Sequence, residues 1–187
     1  MSEFVKLNNG DGSWVELLKQ WETETEKLGE DFDIFQMSSL PVLKGLAEGD
    51  GERWAGVYGL KSEENGYEAA CQLNSAFLPG YEGRVLRVRL MVLSPELEYG
   101  DYPIEKYIRT VSELFFGTYT VSCKELQSDH IKFHLRSPAD RQFFTNLGIA
   151  LGEQAIFESV QIRGSWLYIT KNKRITGIRL VSTETSA

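Results

Sequence analysis

The spacing of apolar residues divides the chain into alternating helical and extended stretches. Phe4, Val5 and Leu7 surround Lys6 ahead of the turn residues Asn8-Asn9-Gly10, which predicts a short opening strand. Trp14, Leu17, Leu18, Trp21 and Leu28 then recur at helical spacing behind Ser13 and Glu16, a pair of capping-box form, so a helix is predicted over 14–28. Leu40, Val42, Leu43 and Leu46, with Pro41 near the beginning, predict a second helix within 38–48 that Gly49-Asp50-Gly51 ends.

The middle of the chain changes period. Two extended runs, 53–60 and 67–77, flank Asn65-Gly66, the strongest short-range signal for a hairpin turn. After Pro79-Gly80, Leu86, Val88, Leu90 and Val92 alternate with Arg87 and Arg89, a third strand over 84–93 whose unbroken apolar face predicts a central position in the sheet. Ile104, Tyr107, Ile108, Val111, Leu114 and Phe115 return to helical spacing, with Asp101 as the expected N-cap, Pro103 in the first turn and Gly117 as the stop.

The last third predicts a strand over 130–135, with Ile131, Phe133 and Leu135 on one side and His130, Lys132 and His134 on the other, broken by Ser137-Pro138. A helix over 140–147 with Gly148 after it, strands over 157–162 and 166–170 around Gly164-Ser165, and a final strand over 174–181 complete the pattern. The expected fold class is α+β: one domain over 1–181 with a central, mostly antiparallel sheet flanked by helices, and a frayed tail over 182–187.

Composition narrows the function classes. At 187 residues, with 42% apolar and 25% charged side chains, the chain carries enough core for one domain and too little bias for extended disorder. No apolar run reaches the roughly 18 residues that span a bilayer, and Met1-Ser2-Glu3-Phe4 lacks a signal peptide's basic start, so a cytoplasmic protein without a membrane partner is expected. A net charge of -7, from 20 basic against 27 acidic side chains, argues against general nucleic-acid binding, which needs a positive field.

Site chemistry is sparse. Cys71 and Cys123 stand far apart with no Cys-x-x-Cys spacing, and His130 and His134 lie on a predicted strand, where four residues separate α-carbons by about 13 Å, so no metal site is expected. Nucleophile-elbow and phosphate-loop motifs are missing. Glu63-Glu64 keep the hairpin turn solvated. Tyr81, Tyr99 and Tyr102 gather at the ends of the predicted meander, where they either line a pocket or cover a sheet edge.

The order of predicted elements resembles the GNAT N-acetyltransferase superfamily over nearly the whole chain, and three segments add to the likeness. Phe143-Phe144-Thr145-Asn146-Leu147-Gly148-Ile149 looks like the family's Phe-Tyr-x-x-Leu-Gly-Phe segment, Trp166 to Lys171 resembles its following strand, and Leu93-Ser94-Pro95 resembles the Val-x-Pro that ends its central strand. The resemblance implies acetyl-CoA or another acyl-CoA as cofactor and the amine of a small molecule or peptide as acceptor. Backbone groups at Met91, Val92 and Leu93 would hold the pantetheine arm, and the loop with Gly100 and Tyr102 would face the pyrophosphate, where glycines and a helix N-terminus favour an anion.

The sequence departs from that pattern at the loop and at the acid. Aligned from Pro95, Glu98 replaces a basic or amide residue, Asp101 replaces a glycine and Pro103 removes an amide donor. Phe144 stands where many members carry a tyrosine that protonates the departing thiolate. Three readings follow: an acyltransferase with an unusual loop and Glu82 as base for the amine, a GNAT-like module that binds a protein, peptide or small ligand without chemistry, and an unrelated α/β domain with an accidental match.

Overall fold

The computed structural model describes residues 2–49, 52–135 and 138–172, which form seven strands and six helices. Hydrogen-bonded strands follow the order β1-β2-β3-β4-β5-β7-β6, antiparallel in the pairs β1/β2, β2/β3, β5/β7 and β6/β7. By backbone contacts the chain divides into two compact units. The first comprises Met1–Asn74 and Val88–Val121, the second Ser75–Arg87 and the described residues from Ser122 on.

In the first unit, β1 (Ser2–Leu7) pairs with β2 (Ala55–Ser62), placing Phe4 opposite Leu60 and Val5 opposite Gly59. Between these strands run α1 (Ser13–Leu28), α2 (Phe32–Ser39) and α3 (Pro41–Ala47). The buried residues of α1 are Trp14, Leu17, Trp21 and Thr25, one face at helical spacing. Trp14, Leu17 and Trp21 pack with Leu7, Phe35, Leu40, Leu43, Val57, Tyr67 and Val92 in one apolar cluster. Gly29 ends α1 at φ 74°, a left-handed conformation that a residue with a Cβ adopts only at a cost.

Two helix boundaries differ from the sequence expectation. Gly12, at φ 82°, precedes α1, and Ser13 lies inside the helix, its hydroxyl accepting the N–H of Asn8 at 3.0 Å, so the capping box does not form. The single helix expected within 38–48 is α3, preceded by a separate α2 whose N-terminus Asp31 caps by accepting from the N–H groups of Asp33 and Ile34.

The hairpin forms where Asn65-Gly66 predicts it: β3 (Gly66–Phe77) returns along β2, with Gly66 at φ 67°. β4 (Arg84–Leu93) is the fourth strand of the seven, the central position its alternation predicts. After it come α4 (Pro95–Tyr99), a turn of helix in a stretch expected to be loop, and α5 (Ile104–Cys123). Asp101 lies three positions ahead of α5 and not at its cap. Gly117 lies within α5 and does not stop it. A Cβ there would meet Phe4 Cγ at 2.4 Å, so this glycine lets α5 approach β1.

In the second unit, β6 (Phe157–Arg163) and β7 (Trp166–Lys171) form the predicted hairpin, with Gly164 at φ 59° in its turn, and β7 also pairs with β5 (His130–His134), a partnership the sequence pattern does not indicate. α6 (Pro138–Gly152) runs through Gly148, which a Cβ would bring only into ordinary contact with Val160 and Leu167. Phe144, 1% exposed, packs its ring 5.3 Å from that of Phe133. Ser137, the strand expected over 174–181 and the tail over 182–187 lie outside the described residues. Taken in order, the elements run strand, three helices, a three-strand meander, two helices, strand, helix and two strands, which keeps the alternation on which the sequence resemblance rests.

Candidate functional site

The turn after β4 is organised by Ser94. Its hydroxyl accepts the N–H of Leu97 at 3.4 Å, and its carbonyl accepts from Leu97 and Glu98 at 2.9 Å each. Pro95 follows as the first residue of α4, where a missing amide costs nothing. The Gly100 N–H returns to the Glu96 carbonyl at 3.0 Å, and the Glu96 N–H reaches the Glu24 carboxylate on α1 at 3.4 Å. Four amide donors, at 96, 97, 98 and 100, are thus engaged within the protein.

The expected cofactor residues are divided by this turn. Met91 and Leu93 are half-buried and Val92 is buried in the apolar cluster, all on β4. Gly100 presents no open cradle, because a Cβ there would lie 2.3 Å from the Glu96 carbonyl and 2.6 Å from the Tyr102 ring. Glu82 belongs to the second unit, where it is exposed. Its carbonyl, not its carboxylate, meets the ring of His130, whose Nε2 donates at 2.9 Å. Tyr81 stands edge-on to the same ring at 5.0 Å.

Beside α4 in the first unit lies a cavity of about 670 Å³, lined by α1, the β2–β3 turn and the link to α5. Four glutamates, Glu16, Glu24, Glu64 and Glu96, face it against two lysines, Lys19 and Lys27. Gln20 straps its wall, donating to Glu24 Oε1 at 2.6 Å and to the Asn65 carbonyl at 2.9 Å while accepting the Tyr67 N–H at 2.8 Å. Gly66 suits the turn through its φ of 67°, and a Cβ there would displace the Gln20 amide.

Electrostatics differ around the cavity. Glu16 bonds to Lys61 at 2.6 Å, and that hydrogen bond holds its carboxyl below the ordinary value. Burial raises Glu24, while the hydrogen bonds from Gln20 and the Glu96 amide act in the opposite direction. Burial and then a hydrogen bond to Glu96 push the Tyr102 phenol far up. Lys106 sits 4.0 Å over the Tyr102 ring and 3.8 Å from Glu96 Oε2. At the hairpin, Glu68 is 2% exposed, and its Oε1 accepts from Arg109 at 2.9 Å and from Asn65 at 2.8 Å. Its Oε2 has no hydrogen-bond partner among the described residues.

No family model matches the chain. Nor does any curated protein match it. Among solved structures it is similar to a GNAT family acetyltransferase of Staphylococcus aureus, at 19% identity over 73% of this chain and 86% of that one, with a TM-score of 0.38. It is also similar to a spermidine N-acetyltransferase of Vibrio cholerae, in complex with CoA and spermine, at 15% identity over 93% and 98% of the two chains, with a TM-score of 0.46. A mutant AtaT toxin bound to the C-terminus of the antitoxin AtaR aligns at 11% identity over 68% and 74%, with a TM-score of 0.41.

What the site can do follows from its own residues. Glu24, Glu96 and Gln20 carry no signal in the sequence pattern, and Ser94 entered only within Leu93-Ser94-Pro95, although Ser94-Pro95 has the form of a capped helix start. Among the described residues no group of three His, Cys, Asp or Glu side chains is placed to hold a metal ion, and no helix is long and apolar enough to cross a membrane.

Proposed function

We propose that this chain is a divergent GNAT-like protein of the N-acyltransferase kind that binds an amine-bearing small molecule or peptide, and that its α4 turn does not hold acyl-CoA. The observation that carries this reading is the engagement of the amides at 96, 97, 98 and 100 inside the protein, one of them by the carboxylate of Glu24. A pyrophosphate needs free N–H groups at a helix start, and here an internal carboxylate occupies one of them. The four glutamates facing the neighbouring cavity suit a protonated amine and oppose a polyanion.

A second reading, acyl transfer from acetyl-CoA or another acyl-CoA, is supported by the central position of β4, with Met91, Val92 and Leu93 near its end. It assigns Glu82 as base for the amine and water or another group as acid, because Phe144 has no proton to give. Calorimetric titration with acetyl-CoA and with a longer acyl-CoA separates the two. The first reading expects no heat of binding, and micromolar affinity followed by acylation of an amine would replace it with the second.

A further inference from the structure

Away from α4, one cluster in the second unit joins a buried amine to a thiol. Lys171, the last residue of β7, is 6% exposed, and its Nζ donates to the Ser122 carbonyl at 2.9 Å and to the Ser122 hydroxyl at 3.3 Å. The same nitrogen stands 3.6 Å from Cys123 Sγ, Ser122 and Cys123 being the last two residues of α5. Lysine is rarely buried to this degree, and neither functional reading above employs it. Burial lowers its ammonium pKa, although the thiol and Asp129 oppose that shift. Cys123 is only half-buried, whereas the other thiol, Cys71, is fully buried.

We propose that Cys123 and Lys171 are a modification site at which peroxide drives formation of a sulfur–nitrogen bond, tying the end of α5 to β7. Wherever the shared proton resides, sulfur and nitrogen together carry three hydrogens. Sγ attacks one oxygen of hydrogen peroxide, the O–O bond breaks, and the departing hydroxide takes one of those hydrogens as a proton and leaves as water. Sulfur has then been oxidised by two electrons to the sulfenic acid and the peroxide reduced by two. The amine of Lys171 displaces the sulfenic hydroxyl, which leaves as a second water with one amine hydrogen. One peroxide yields two waters, and the protein loses two hydrogens.

The sulfenic acid is the reversible rung of thiol oxidation and condenses readily with a nearby nucleophile, whereas further oxidation is irreversible. An amine held in contact with the sulfur intercepts it at the reversible stage. The proximity is fixed by β7, whose Lys171 N–H donates to the Asp129 carbonyl at 3.0 Å, and by the two bonds from Nζ to Ser122.

Intact-mass and peptide mass spectrometry of the full chain after hydrogen peroxide treatment test the proposal. The expected product is lighter by two hydrogens, yields a linked Cys123–Lys171 peptide, and reverts with a thiol reductant. Lys171→Met should abolish the link and raise Cys123 sulfinic acid several-fold, and Cys123→Ser should leave Lys171 unmodified. Should Lys171→Met not fold, the linked peptide in the wild type and its loss in Cys123→Ser carry the test. A Cys71–Cys123 disulfide, a bridge that retains one oxygen, or sulfinic acid in the wild type without any linked peptide overturns the proposal.

Discussion

The carboxylate of Glu24 on α1 accepts the backbone N–H of Glu96 on α4 at 3.4 Å, although 72 positions separate the two residues in the chain. Burial raises the pKa of Glu24, against the hydrogen bonds from Gln20 and from the Glu96 amide, which lower it. A raised carboxyl pKa means that the folded chain keeps a proton which the unfolded chain releases near 4.5. The group's contribution to stability is therefore full below about pH 4.5 and is lost as pH rises through the folded value.

Glu24→Gln keeps an acceptor for the Glu96 amide and removes the charge. The variant should be more stable than the wild type at pH 7, with the difference vanishing toward pH 4, as read from denaturant midpoints across that range. A variant less stable at every pH would mean that the charge itself holds α4 in place.

Charge and occupied donors both oppose pyrophosphate at α4, and they can be separated. At an effective dielectric of 20, two unit charges about 6 Å apart interact by roughly 3 kcal/mol before screening. Glu98→Gln with Asp101→Gly relieves such repulsion and leaves the amides engaged. The double variant should show no more than millimolar affinity for CoA by calorimetry at low salt. Micromolar binding would identify charge alone as the barrier.

Gly117→Ala should destabilise the fold despite the better helix propensity of alanine. The propensity gain is about 1 kcal/mol, whereas a Cβ 2.4 Å from Phe4 Cγ forces a stacked ring to move, at about 1–3 kcal/mol. A lowered thermal midpoint is expected, and Phe4→Leu in the same chain should recover part of it. An unchanged midpoint would show that β1 yields freely.

Phe144→Ala removes a buried ring packed on Phe133 and should cost about 3–5 kcal/mol. Any transfer activity that is detected should keep its pH profile in this variant, because a phenyl ring ionises nowhere in the accessible range. Loss of one limb of the profile would place a proton donor beside that ring.

The strands were legible because their pattern is local. The alternation from Leu86 to Val92, the Asn65-Gly66 turn and the apolar side of β5 each lie within a dozen residues, and each forms as predicted. Helix ends were less so. Gly117 resembled a stop until Phe4, distant in sequence, explained it, and Ser13 with Glu16 matched a cap whose partners were drawn away to Asn8 and Lys61. The site was the least legible part, since it rests on pairs such as Glu24 with Glu96 and Gln20 with Tyr67, which tertiary packing creates. Local spacing carries no trace of them.

Arg109 has about half of its side chain in solvent, yet it is bonded to the almost wholly enclosed carboxylate of Glu68. Its freedom to drift over evolutionary time is therefore not that of a surface residue. Losing the arginine alone would strand a negative charge in the interior, a change worth about 3–5 kcal/mol, whereas replacing both together by well-packed apolar residues is often tolerated. Descendants of this chain should consequently either keep the two residues or exchange them as a pair, so that two positions of very different exposure share one history.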